Sequence, residues 1–227
     1  MGLDDGDIFV DFFGGSSTSA HAILENNIAK GIDVKYILIQ LPETCNPDTE
    51  AFKAGYKTID QIGMERIKRA AKKIKEANPL FSGDLGFKHY TLEEPKQDAL
   101  LLMEQFDPIS NNVTTLSVDD FGLETVLRTW LVADGYGLTE DAEEVTLGRY
   151  KAYWKGDHLY LVNPDDNFDA SSIAALIDKY NSEQFSPHNI VIFGYSFSFT
   201  HREELQKNLR TLKEGNKTLT VNLDVRY

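Results

Sequence analysis

The sequence has one cysteine in 227 residues, Cys45, and no apolar run approaching the length of a bilayer span. A single thiol excludes an internal disulfide and suits a reducing compartment. No basic flank followed by an apolar core and a small-residue cleavage site opens the chain, so the expectation is a cytoplasmic protein with no membrane partner. The histidines, at 21, 89, 158, 188 and 201, never pair at ligand spacing, and without thiol partners they argue against a zinc centre. Cys45 sits in PETCNPDT, a polar loop with no histidine near it, which reads as structure and not as a nucleophile. The phosphate-binding signatures GxxxxGK[ST] and GxGxxG are both missing. Positive charge is scarce too: 23 Lys+Arg stand against 36 Asp+Glu, a net of −13. The deficit is uneven, with 10 against 12 in residues 1–78 and 13 against 24 in residues 79–227. Nucleic-acid affinity rests largely on neutralised phosphates, so the acidic C-terminal two thirds is a poor DNA-reading surface and a better protein-contacting one.

What is present is ordinary globular material, 41% hydrophobic and 26% charged, enough for one large or two small domains. IFVDFF at 8–13 predicts a strand apolar nearly throughout, as in a sheet covered on both faces. A helix is predicted over Thr18 to Lys30, with Ala20, Ile23, Leu24 and Ile28 on one face and Gly31 as its cap. VKYILIQ at 34–40 is a second buried-type strand. Strand, tight turn, helix and strand within about 30 residues make a βαβ unit with parallel strands. Thr58 and Gln61 form a predicted capping box at the start of a long helix. That helix has an apolar face of Ile59, Ile62, Ile67, Ala70, Ala71 and Ile74 and a basic one of Arg66, Lys68, Arg69, Lys72, Lys73 and Lys75. The basic face reads either as a solvated surface with Glu65 and Arg69 as an i,i+4 pair or as a phosphate contact.

FKHYTLE, from 87, predicts a strand; residues 94–117 have a weak pattern and read as a connection; a helix is predicted near 119–134. GRYKAYWKGDHLYLVN predicts a hairpin turning at KGD. The tail alternates helix, strand, helix, strand, a second α/β unit. FGYSFSF at 193–199 is similar to a GxSxG nucleophile elbow but closes on Ser198 where glycine belongs, so a Ser-rich turn is the default. DDNFD at 165–169 lacks the length and terminal Glu of a calcium loop. His21 reads as a polar helix residue with a pocket-lining alternative.

The break between the first strand and helix carries the chemistry. Gly14, Gly15, Ser16, Ser17 and Thr18 turn straight into the helix, which leaves backbone N–H groups aimed at open space, an anion-attracting start. A purely structural turn with Ser and Thr as N-caps is the alternative. The surrounding residues resemble a known family: DFFGGSSTSAHAIL is close to the D-F-F-A-G-S-G-T-T-A-H-A form of motif I in the methylation subunits of type III restriction-modification systems, which are adenine-N6 DNA methyltransferases. KYILIQLPE at 35–43 and FKAGYKTIDQIGMERIKRAAKKI at 52–74 resemble the family's following segments, so the likeness is specific over about 8–75 and diffuse beyond.

The resemblance implies an α/β chain. Its first part, residues 1–92, is a partial Rossmann-like methyltransferase sheet, a βαβ unit carrying motif I that binds S-adenosyl-L-methionine. A connection, 93–117, and a smaller mixed α/β C-terminal domain, 118–227, follow. The implied cofactor residues are Asp11, Phe13, Gly14, Gly15, Ser16, Ser17 and Thr18, with Gln40 and Pro42 at the adenosine end. Asp11 is the acid for the cofactor's ammonium, and the free amides receive its carboxylate. Ser17 stands where the family has glycine and Ser19 where it has threonine; a Cβ at 17 resists positive φ and narrows the approach. The family's D-P-P-[YF] tetrad, which holds the extruded adenine, has no counterpart: no Pro-Pro pair occurs, and NPDT, DPIS, NPDD and SPHN lack the aromatic. The expectation is a C-terminal portion that is inactive alone and meets double-stranded DNA only through an intact enzyme. The rival expectation is a non-catalytic module for homodimerisation or for docking a restriction subunit.

Overall fold

The computed structural model describes residues 2–92, 94, 96–106, 117–163, 167–182, 185–210, 213–214, 217–218 and 220–227. It divides into two units, Met1–His89 and Tyr90–Tyr227. The second is the longer. The segment DPIS and residues 107–116 of the expected connection lie outside the described residues, as do 164–166, which fall in NPDD and DDNFD.

In the first unit, β1 (Ile8–Asp11) leads through a tight turn to α1 (Thr18–Lys30) and back to β2 (Lys35–Leu38). The strands are parallel, with Val10 opposite Ile37 and Asp11 opposite Leu38. Gly31 ends α1 at φ 66°, a left-handed cap that glycine adopts without strain. Asn27 then clamps the return by accepting from the Val34 N–H and donating to its carbonyl. A short α2 (Glu50–Lys53) precedes α3 (Ile59–Ala77). The predicted capping box is displaced by one residue: Thr58 caps nothing with its side chain, and Gln61 accepts from the Lys57 N–H at 2.7 Å. Ala20 and Leu24 of α1 share a small core with Ile67 and Ile74 of α3. The strands are not covered on both faces. Ile8 is 62% exposed, Phe12 66% and Ile39 46%, so the layer α1 and α3 provide lies on one side only.

In the second unit, α4 (Gln97–Glu104), α5 (Val118–Phe121) and α6 (Leu123–Ala133) precede the sheet. The single helix predicted at 119–134 is broken at Gly122, φ 82° and ψ 128°. No strand forms over 87–92. The strands β3 (Glu143–Leu147), β4 (Tyr150–Lys155) and β5 (His158–Leu161) run antiparallel, and the β4–β5 hairpin turns at Gly156, φ 52°. α7 (Ala170–Asn181), β6 (Asn189–Phe193), α8 (Phe199–Leu209), the two-residue pair β7 (Lys213–Glu214) and β8 (Lys217–Thr218), and β9 (Asn222–Arg226) complete the chain. The five-stranded order is β3-β4-β5-β6-β9, with β5, β6 and β9 parallel. Alternate residues feed two cores. Leu159, Leu161, Ile190 and Ile192 pack with α7 and α8, while Tyr160, Val162, Val191 and Phe193 pack with α5 and α6. Helices therefore cover both faces.

Candidate functional site

The turn between β1 and α1 is held by its own chain. Asp11 accepts from the Phe13 N–H at 2.9 Å and from the Ser19 hydroxyl at 2.6 Å. Those two donors, Ser19 first, hold its carboxyl below the ordinary 3.8, so it is a carboxylate at neutral pH. The Gly14 N–H donates to the Ile39 carbonyl at 3.0 Å, and the Gly15 N–H to the Gln40 Oε1 at 2.6 Å. Gln40 Nε2 donates in turn to the Leu41 carbonyl, so the carboxamide spans the ends of both strands. Pro42 and Phe13 are exposed, Phe13 at 89%.

Gly15 and Ser17 both take left-handed φ, 52° and 59°. Ser17 is the one non-glycine with positive φ among the described residues, a conformation costing roughly 1–2 kcal/mol for an L-residue. Its N–H donates to the Gly14 carbonyl at 2.7 Å, and the residue is buried. It occupies the N-cap position of α1 without capping: its side chain accepts no helix amide. The hydroxyl faces α3 instead, where a Cβ on Gly63 would lie 2.4 Å from Ser17 Oγ and 3.2 Å from the Gly15 carbonyl oxygen. Gly63 thus sets how closely α3 approaches the turn, which the helical pattern of the sequence does not announce. Arg66, one turn on, donates from Nη2 to Ser16 Oγ at 3.3 Å, while its Nε is buried with no partner.

The amides of Phe13, Gly14, Gly15 and Ser17 are therefore occupied by this chain's own acceptors. Those of Ser16, Thr18, Ser19 and Ala20 have no partner among the described residues. They mark the positive end of a helix at the C-terminal edge of a parallel strand, where open α/β sheets take anionic ligands. His21 pairs with Glu25 along the helix at 3.2 Å. A concavity of about 430 Å³ lies at the opposite end of the βαβ unit, between Asp5, Asn27, Gly31, Asp33 and Phe81, away from the turn. Among the described residues, no cluster of His, Cys, Asp or Glu has the makings of a metal site, and no helix is long and apolar enough to cross a membrane.

Comparison with known proteins places the second unit first. Residues 121–219 match the family described as the type III R-M EcoP15I C-terminal domain, so that unit is of the class found at the end of type III restriction-modification proteins. The likeness extends over the whole chain. It is 34% identical to the StyLTI Mod subunit of Salmonella typhimurium over 100% of its length, 34% to the EcoP15I Mod subunit of Escherichia coli over 96%, and 30% to the EcoPI Mod subunit of Escherichia phage P1 over 100%. The chain belongs to the Mod subunit family of type III restriction-modification enzymes, as a C-terminal part of such a subunit. It spans about a third of the length of these relatives: 38%, 32% and 34%.

Proposed function

We propose that this chain is the cofactor-binding and C-terminal portion of a site-specific DNA adenine-N6 methyltransferase of the type III restriction-modification class. On this reading S-adenosyl-L-methionine binds at the turn Phe13–Thr18, and the first unit contributes a Rossmann-like part of the methyltransferase sheet. The observation that carries it is the set of unpartnered amides at Ser16, Thr18 and Ser19, on residues that are not buried, beside left-handed backbone at Gly15 and Ser17. They would receive the carboxylate of the amino-acid end, while Asp11, ionised and bonded to the Ser19 hydroxyl at 2.6 Å, would receive its ammonium through the lone pairs its internal bonds leave free. Gln40 shapes the turn through Gly15, and Pro42 with exposed Phe13 would flank the nucleoside. The bound cofactor supplies an electrophilic methyl group; this chain's residues bind and orient it. With no D-P-P-[YF] tetrad to hold an adenine, the chain alone is expected to bind the cofactor without transferring methyl to DNA. Double-stranded DNA would be met by the intact enzyme. Isothermal titration with S-adenosylmethionine tests this: saturable micromolar binding supports it, and no heat at millimolar ligand refutes it.

A second reading takes its support from occupancy and charge. Four of the turn's amides are already satisfied internally, and residues 79–227 carry 24 acidic against 13 basic side chains. On that reading the βαβ unit is a scaffold and the second unit a surface for homodimerisation or for a restriction subunit. A concentration-dependent dimer in light scattering, in a chain that ignores the cofactor, would favour it.

A further inference from the structure

We propose that Arg66 is a positioning residue that makes this site selective for the carboxylate of the cofactor's amino-acid end, acting through Ser16; the inference rests on the cofactor reading above. A hydroxyl that accepts from a guanidinium turns its own hydrogen away from it. Ser16 Oγ accepts from Arg66 Nη2, so its O–H is left to donate elsewhere, and the Ser16 N–H beside it is free. One residue thus offers an anion two donors, with a positive charge one hydrogen bond behind them.

That charge is not neutralised from within. Among the described residues no carboxylate lies in ion-pair range of Arg66, and its Nε is shut off from solvent without a partner. An uncompensated guanidinium with a buried, unmet donor destabilises a fold unless an anion completes it. The close approach that allows this has its own requirement. Gly63 lets α3 pass so near the turn that any side chain there would overlap Ser17, and Arg66 reaches Ser16 only because of that spacing. Among the described residues the turn is thereby bonded to the carboxylate of Asp11, which holds Phe13 and Ser19, and to the guanidinium of Arg66, which holds Ser16 and has no ion-pair partner there. A ligand bearing both an ammonium and a carboxylate matches that pair of charges.

The test compares two thioethers by titration calorimetry on the full chain: S-adenosylhomocysteine, which has the amino-acid end, and 5′-methylthioadenosine, which lacks it. Wild type is expected to bind the first more tightly. Arg66→Gln should weaken S-adenosylhomocysteine about tenfold, as loss of a charge-assisted contact would, and leave methylthioadenosine within about twofold. Arg66→Lys should restore part of the difference. Equal weakening of both ligands, or no change in either, overturns the assignment. Should Arg66→Gln not fold by circular dichroism, Ser16→Ala removes the same donor and must narrow the preference likewise, or the inference fails. A wild-type chain that binds neither ligand refutes the cofactor reading itself, an outcome distinct from unselective loss in the variant.

Discussion

β1 and β6 are spelled in the same apolar residues, IFVD and NIVIF, yet they live in different surroundings. In β6, Ile190, Val191, Ile192 and Phe193 are all buried, because α7 and α8 take one face of the sheet and α5 and α6 the other. In β1, Ile8 and Val10 are 62% and 43% exposed, and among the described residues its one strand neighbour is β2. Two parallel strands form the least self-sufficient of sheets, since parallel ladders gain their stability from cover on both sides. An apolar strand records the environment in which its sheet is stable; it does not record which parts of that environment one stretch of chain supplies. On the methyltransferase reading, the open face of Ile8, Val10, Phe12, Ile37 and Ile39 is where a covering layer of helices would lie, and further strands would join at the edges.

Truncation variants turn this contrast into numbers. Ile190→Ala removes a fully buried side chain from the second unit and should destabilise it by about 2–5 kcal/mol in urea unfolding. Ile8→Ala in the first unit should cost no more than about 0.5 kcal/mol, since Ile8 is already exposed. A comparable loss at both positions would mean that the β1 face is covered in solution.

The second unit also closes its last strand electrostatically. Arg226 of β9 forks onto Asp134 at 2.7 and 3.0 Å, and Tyr160 donates to the same carboxylate at 2.7 Å. Burial pushes the Asp134 carboxyl up, but the guanidinium and the hydroxyl outweigh it and hold it below 3.8. A carboxyl lowered on folding stabilises the fold fully above its unfolded pKa, and that contribution disappears as pH falls through the folded one. Asp134→Asn should therefore cost about 3 kcal/mol at neutral pH and progressively less toward pH 3, by pH-resolved urea titration. A cost independent of pH would assign the effect to packing alone. The first unit has no counterpart with both partners this buried among its described ion pairs.

Much of this was legible from residues. Thr18–Lys30 with Gly31 beyond it is a helix whose register and stop are both local, and KGD turns where glycine's left-handed freedom requires it. Local signals misled where tertiary contacts override them. FKHYTLE has strand composition, yet its described residues 87–92 form no strand, and Thr58 has a capping sequence while Gln61 serves Lys57 instead. β3 carries Glu143, Glu144 and Thr146 on an edge, a pattern too polar to announce a strand until β4 supplies its partner. At the site, the turn itself was readable from Gly14 to Thr18. The part played by Gly63 and Arg66 was not, because it depends on α3 lying against α1, a contact between residues some fifty positions apart. A lone glycine in an otherwise strong helical pattern was the available signal.

A pair of variants at Ser17 and Gly63 tests that contact most directly. Ser17 sits at φ 59° with its hydroxyl against Gly63, so Ser17→Gly should stabilise the first unit by about 1 kcal/mol, relieving left-handed strain at some cost in unfolded-state entropy. Gly63→Ala should destabilise it by about 1–3 kcal/mol, since the new methyl meets Ser17 Oγ and Cβ. The two changes share one space and so should not add. With Ser17 reduced to glycine, the two Ser17 side-chain atoms that crowd a methyl at 63 are gone while the Gly15 carbonyl oxygen stays at 3.2 Å, and the penalty should fall by roughly half. Additive effects in a double-mutant cycle would show that α3 does not set the conformation of the turn, and the hold of Arg66 on Ser16 would lose its structural basis.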